Sequence, residues 1–376
     1  MSYILKQYDT DLLRFDMQKD IDGVSAQILS VNEKNRSLLP LDLELSDYGL
    51  AKWLKRRTIP SNRAYVQNFL AKLGLNEKDT KGIIDFCKGL SLNDCYWVIE
   101  DNFKGKFAEN NLYDNRFSNV LSQIAFTGYG SFQKPSLRSS PEFTTNGMLA
   151  KCWRRVDGKI ILFKSGTEGF ANSGNEPYCE YYAYQVASAM GINAVQYGLS
   201  KWKGRLCSTC ELFTSKEYSF MPIGNIVKVG GIKAVIEYYK SLGDNFYNAF
   251  VDMIVFDAVV LNTDRHFGNF GFMIDNRTNK ICAPAPLFDN GLSLLTYAMD
   301  DDLQDWETYA KTRVPATYSD FIELAQQLMG HSQKEKLRRI INFKFKRHSR
   351  YNWSNERLGV VEKLLQKRVQ FVLHIV

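Results

Sequence analysis

Residues 246–261, FYNAFVDMIVFDAVVL, form the most apolar run of the chain and leave it few ways to fold. The run is shorter than a bilayer span and carries Asp252 and Asp257, so it reads as a helix buried inside a globular protein. Directly after it comes NTDRHFGNFGF, residues 262–272, which gathers Asp264, Arg265, His266 and Asn269 on one loop before a strand-like run. A polar loop with such flanks is held still.

The chain has 376 residues, 45% hydrophobic and 24% charged, enough for two or three domains and unlike a disordered composition. Its start, MSYILKQYDTD, shows neither a secretory signal nor a transit peptide, and a cytoplasmic location is expected. Seven cysteines, an odd number scattered along the chain, suit a reducing compartment. Cys207 and Cys210 form the one CxxC, inside the strand-like RLCSTCELF, where neither a second ligand pair nor a helix N-terminus is at hand. The net charge of +7 is concentrated between Lys334 and Arg350, where eight cations face Glu335 alone. A solvated helix face explains it more simply than a nucleic-acid surface.

LLRFDM and VSAQILSV around the turn KDIDG predict a β-hairpin, after which Ser46 caps one helix and Ser61 another that ends at Gly74. Residues 78–125 read as mostly helical. The two helices around TIPSN, with Lys55, Arg56, Arg57 and Arg63, admit a helix-turn-helix reading, although helical pairs are common. GYGSFQKPSLRSSPEF, residues 128–143, is rich in Gly, Ser and Pro and marks the best domain boundary. Beyond it, NGMLAKCWRRV and KIILFKSG flank Asp157-Gly158 as a hairpin, and SGTEGFANSGNEP leads into a helix closed at Gly191.

Phosphoryl transfer asks a protein for positioned charge around a triphosphate and its metal, and for a carboxylate that orients the attacking hydroxyl. Lys164, on the strand after a hairpin, suits the α- and β-phosphates, and Glu180 on the next helix suits a partner that holds the lysine extended. Asp264 and Asn269, in a D-x4-N spacing, suit the nucleophile and a metal respectively. Asp289, followed by Asn290 and Gly291, returns to that loop after a hairpin and suits Mg²⁺. Each element alone is weak, and their order along the chain carries the reading.

NTDRHFGNFGF followed by APAPLFDNGLSLL resembles the HipA-like serine/threonine kinases, over residues from roughly 140 to 330. The resemblance implies an α+β, bilobal protein-kinase-like fold with a largely helical C-lobe; the residue pattern before it, which does not match the family, reads as a mixed, mostly helical N-terminal domain. It implies ATP and Mg²⁺ as cofactors, Asp264 as the catalytic aspartate on a loop shared with His266, Asn269 and Asp289 as metal ligands, and Lys164 as the ATP lysine. Glu211 and Phe213 would lie in the hinge beside adenine. The phosphate loop is not a clean GxGxxG, and only Gly147 in TTNGML is available to approach a phosphate. The expected division is 1–127 as a partner or substrate module of unknown role, 128–143 as linker and start of the phosphate-side loop, 144–215 as N-lobe and 216–376 as C-lobe.

The implied function is a growth-regulating, toxin-type protein kinase with a protein substrate and an antitoxin or DNA-binding partner; Ser139, Ser140, Thr144 and Thr145, on a Gly- and Pro-bounded segment expected to be mobile and near the γ-phosphate, are candidate sites of autophosphorylation. Two alternatives stay open. Phosphatidylinositol-type lipid kinases share the DRHxxN-like loop, and a non-catalytic DNA- or partner-binding regulator is compatible with the same fold.

Overall fold

The computed structural model describes residues 2–21, 23–130 and 139–374. Half of the expected boundary segment 128–143, residues 131–138, lies outside them. The chain divides into two compact units, the first made of Met1–Lys164, Leu212–Met221 and Met273–Cys282, the second of Ser165–Glu211, Pro222–Phe272 and Ala283–Val376.

In the first unit, strands β1 (Ser2–Gln7), β2 (Thr10–Gln18), β3 (Ser25–Val31) and β4 (Tyr96–Glu100) form an antiparallel sheet in the order β3-β2-β1-β4. Strand β2 alternates as a half-buried strand should, with Leu13, Phe15 and Met17 in the core and Arg14 in solvent. Strand β4 corrects the helical reading of residues 78–125. Trp97 and Ile99 enter one apolar cluster while Tyr96 and Val98 enter another, so both faces are covered. A short run buried on both faces has no alternation and looks like a piece of buried helix.

Helices α1 (Asp47–Lys55), α2 (Val66–Ala71), α3 (Thr80–Cys87), α4 (Phe107–Asn110) and α5 (Asn119–Thr127) complete this unit. Ser46 caps α1 by accepting the Gly49 N–H. Ser61 does not cap α2, which starts after Tyr65 in the left-handed region. Of the four basic residues around TIPSN, Lys55 is exposed, Arg56 pairs with Asp42 at 2.9 Å, and Arg57 and Arg63 are spent on folding. Arg57 is buried and forks onto both Asp94 oxygens at 2.8 Å, and buried Arg63 donates to the Glu142, Thr145 and Lys151 carbonyls. Neither guanidinium is left to meet a DNA phosphate.

Strands β5 (Lys151–Val156) and β6 (Lys159–Ser165) form the expected hairpin, with Asp157 at φ 49° and Gly158 at φ 79°, the two positive values that a tight hairpin turn requires. In the second unit, helix α6 (Glu176–Met190) ends at left-handed Gly191, and β7 (Tyr197–Trp202) pairs antiparallel with β8 (Arg205–Glu211). Cys207 and Cys210, three apart on β8, project to opposite faces of a strand and cannot chelate one ion between them. Strands β9 (Tyr218–Pro222), β10 (Gly271–Asp275) and β11 (Lys280–Pro284) form a sheet in the order β11-β10-β9.

The remaining helices are α7 (Ile223–Ile226), α8 (Gly231–Ser241), α9 (Asp244–Val260), α10 (Asp300–Gln304), α11 (Trp306–Lys311), α12 (Phe321–Leu328), α13 (His331–Arg338) and α14 (Asn355–Leu373). As its apolar sequence demands, α9 is buried continuously from Phe250 to Val260. No helix among the described residues is long and apolar enough to cross a membrane. The basic segment after Lys334 is partly neutralised, since Lys336 pairs with Asp252, Arg338 with Glu335 and Lys344 with Glu362.

Candidate active site

The loop after α9 begins at Leu261, whose left-handed backbone (φ 54°) ends the helix while its N–H still reaches the Asp257 carbonyl. Asn262 donates its side-chain amide to Asp257 at 3.1 Å and accepts the Asp264 N–H at 3.1 Å. The Asp264 carbonyl takes the His266 N–H at 2.8 Å and the Asn269 Nδ2 at 3.1 Å, while the His266 ring accepts the Gly268 N–H at 3.0 Å. Every one of these bonds is local. The loop therefore holds its own shape.

Arg265 ties that shape to its surroundings. It is 1% exposed, forks onto Asp257 at 2.9 and 3.1 Å, reaches Asn290 Oδ1 at 2.6 Å, and donates to the carbonyls of Asn269 and Phe288. One guanidinium thus joins helix α9, the loop and the segment around Asp289. Burial works against its charge, but Asp257, Asp289 and Glu180 raise its pKa above the ordinary value. Burial likewise pushes Asp257 above the usual carboxylate range, against the pull of Arg265.

Asp289 is half-buried and sits at φ 57°, a conformation that an L side chain adopts only when its neighbours hold it there. Its N–H donates to the Tyr197 hydroxyl at 3.1 Å, and the next N–H, of Asn290, donates to Glu180 Oε2 at 2.7 Å. Glu180 is fully buried on α6. Thr263 and Leu292 add a backbone link at 3.0 Å between the two segments.

The second unit thus brings together Asp264, His266, Asn269, Asp289 and Glu180. Asp264 is half-buried, Asn269 buried and His266 exposed. Glu211, at the end of β8, belongs to the same unit and is exposed. Lys164 and Gly147 belong to the first unit, Lys164 buried on β6 and Gly147 exposed in the turn before β5 at φ 93°. Phe213, also in the first unit, sets its ring edge-on to Phe220 at 5.6 Å.

Tyr197 and Asn290 carry the loop geometry without having stood out in the sequence as site residues. A tyrosine on an ordinary strand gives no local signal. Arg265 and Asp257 did stand in view, one inside the motif and the other eight residues earlier on the helix before it.

The residues present suit a Mg²⁺-nucleotide. Asn269 commits Nδ2 to the Asp264 carbonyl, which directs Oδ1 to the other side, and Asp289 adds a carboxylate. Among the described residues no three His, Cys, Asp or Glu side chains cluster to hold a metal. Two hard oxygens are what Mg²⁺ takes from a protein when phosphate and water supply the rest.

The four hydroxyls expected on a mobile loop are instead packed into the first unit. Ser140 and Thr144 are buried, Ser140 bonded to Glu142 and Thr144 to the Leu90 carbonyl at 2.9 Å. Ser139 reaches the Cys87 carbonyl at 3.3 Å, and Thr145 the Pro141 carbonyl at 2.7 Å.

No family model matches the chain. Its sequence is 27% identical over 145 residues to the serine/threonine-protein kinase CtkA of Helicobacter pylori, a match spanning 34% of this chain and 43% of that kinase, less than half its length. The crystal structure of the H. pylori proinflammatory kinase CtkA aligns over 60% of this chain and 92% of its own at 17% identity, with a TM-score of 0.48. HipA of Shewanella oneidensis, solved with HipB and operator DNA, aligns over 99% of this chain and 97% of its own at 11% identity and a TM-score of 0.56, which makes the mixed α+β fold a shared one. The chain is thus similar over part of its sequence to a serine/threonine-protein kinase and shares its overall fold with HipA.

Proposed function

We propose that the chain is an ATP- and Mg²⁺-dependent serine/threonine protein kinase of the HipA-like, growth-regulating toxin type. The observation that carries this reading is the Arg265 tie, which fixes the loop of Asp264 and Asn269 against the segment of Asp289. Asp264 orients the acceptor hydroxyl and takes its proton on a carboxylate oxygen. Asn269 Oδ1 and the Asp289 carboxylate would hold the metal, and His266 holds the loop closed through Gly268. Lys164 would serve the α- and β-phosphates, Gly147 the phosphate-side turn, and Glu211 and Phe213 the adenine. Bound Mg²⁺-ATP supplies the γ-phosphoryl group and neutralises the charge that develops on it. Glu180 adds a service of its own by fixing Asn290 behind Asp289.

An antitoxin-type, DNA-binding partner belongs to the same proposal, because the S. oneidensis HipA structure carries HipB and operator DNA. Two of the four TIPSN cations, Arg57 and Arg63, are spent inside the first unit, and the proposal assigns DNA contact to the partner. Autophosphorylation belongs to the proposal on hydroxyls other than the packed Ser140 and Thr144.

Incubation of the pure protein with labelled ATP and Mg²⁺, followed by separate protein and lipid fractions, tests the reading. Label on serine or threonine is expected. Lipid label exceeding protein label would move the assignment to the phosphatidylinositol type, and absence of both nucleotide binding and transfer would leave a non-catalytic regulator.

A further inference from the structure

The polar turn DNRTNK between β10 and β11 looks from its sequence like an ordinary solvated connection, yet both of its asparagines are buried in the first unit. Asn276 is 2% exposed and uses every polar group it has. Its N–H donates to the Glu217 carbonyl at 2.9 Å, its Nδ2 to the Lys216 carbonyl at 2.7 Å, its Oδ1 accepts the Ser219 hydroxyl, and its carbonyl accepts Gln7 Nε2 at 2.9 Å. Asn279 does the same on a smaller scale, donating to the Ser37 and Leu39 carbonyls at 2.9 and 2.7 Å and accepting the Tyr96 hydroxyl at 3.2 Å.

The other side of this junction is equally committed. The Lys216 carbonyl also accepts the Tyr8 hydroxyl and, at 3.2 Å, the Cys95 thiol. Tyr8 is a bulky residue at φ 50°, held there by its N–H to Cys95 and by Trp97 Nε1 on its carbonyl. Burial pushes its phenol above the ordinary value, so the hydroxyl stays a donor. Further along the same segment, Thr214 bonds the Leu92 carbonyl and Phe220 N–H the Asn93 carbonyl. The ends of strands β1 and β4 and the residues beside them, Tyr8 and 92–95, therefore grip two segments far away in sequence, 212–221 and 273–282.

We infer that this clasp, with Asn276 at its centre and Gln7, Tyr8 and Ser219 around it, makes the N-terminal sheet a positioning element for the proposed nucleotide site. The inference rests on the kinase reading above. Strand β10 leaves the loop that carries Asn269, and β11 leads on to Asp289, so both proposed metal ligands are tethered by chain to the clasped turn. The segment before β9 carries Phe213, proposed to lie beside adenine. Asn276 touches no substrate in this scheme and acts through the hairpin.

Two measurements on the full chain separate the clasp from the kinase reading. Amide hydrogen exchange without nucleotide should show faster exchange at residues 217–220 and 272–276 in Asn276→Ala and Tyr8→Phe than in wild type, while the α9 amides stay protected. Calorimetry should show Mg²⁺-ATP affinity weakened about tenfold in Asn276→Ala and by about half that in Tyr8→Phe, the scale of one or two lost hydrogen bonds, with Mg²⁺-free ATP affinity unchanged. A merely structural role would lower the melting temperature without that Mg²⁺-specific change. If Asn276→Ala does not fold, Tyr8→Phe, which keeps the ring and loses one hydroxyl, carries both measurements. Unchanged exchange at the clasp, or unchanged Mg²⁺-ATP affinity in folded variants of a nucleotide-binding wild type, overturns the inference. A wild type that binds no nucleotide overturns the kinase reading, and the exchange data then decide alone whether the turn is clasped.

Discussion

The Asp264 loop and the Asn276 turn solve the same problem, fixing a polar segment inside a protein, with opposite chemistry. The loop is pinned by charge, through a guanidinium and a carboxylate that are both removed from water. The turn is pinned by the neutral amide of Asn276, whose donors and acceptors are all bonded. A buried ion pair is costly to assemble and costlier to break, because either partner left alone is an uncompensated charge. A buried amide costs far less when one bond is lost. The charged tie is thus all-or-none, while the neutral clasp can be loosened by degrees, which suits the first to a catalytic frame and the second to a positioning element.

The comparison is open to attack at several points. The largest effect is expected from Asp264→Asn, which keeps the side chain's size and shape and should keep the fold, and should lose transfer by about 10²- to 10⁴-fold. Single-turnover phosphorylation measures it, and a variant as fast as wild type removes Asp264 from the chemistry. Next, Arg265→Met should cost about 3–5 kcal/mol in denaturant unfolding by stranding Asp257, and Asp257→Leu added to it should recover most of that loss. Failure of the second change to restore stability would mean that the tie to Asn290 and Phe288, rather than charge, dominates.

Asp289→Ala should weaken nucleotide binding by at least about tenfold in the presence of Mg²⁺, the lower range seen even for indirect partners of metal ligands. Calorimetry with and without Mg²⁺ decides, and equal affinities under both conditions contradict a metal role. The smallest effect concerns a buried charge on the neutral side of the comparison. Burial pushes Glu142 above its ordinary 4.5, against bonds from Ser140 and the Trp153 N–H. The folded state then keeps this proton to higher pH than the unfolded chain, so its contribution to stability is present at low pH and is lost as pH rises through the folded value. Glu142→Gln should flatten that part of the pH dependence in urea titrations, and an unchanged slope would assign it to Asp257 instead.

Much of the second unit was legible because its signals are local. The apolar run of α9, Gly191 at the end of α6 and the dense polar motif after Leu261 each depend on neighbours in sequence, as does the Asp157-Gly158 turn in the first unit. The first unit was harder. Strand β4 has apolar residues on both faces, and Ser61 looks like a cap although the chain starts its helix later. The hydroxyls around Ser140 stand in a Gly- and Pro-bounded stretch that composition marks as mobile, yet Glu142, Leu90 and Cys87 hold them.

By itself, the sequence determined the dense polar loop after α9 and the elements on either side of it, because helix periodicity, turn residues and capping act over a few positions. Only the tertiary structure decided what each polar group is spent on. Arg265 became a buried tie and Arg57 a buried partner of Asp94, although both are arginines in polar stretches. Asn276 became the centre of a clasp and Tyr197 a support for Asp289 through partners from remote parts of the sequence. Hydrogen-bond satisfaction in a desolvated interior is settled by what surrounds a group in space, and spacing along the chain does not record that.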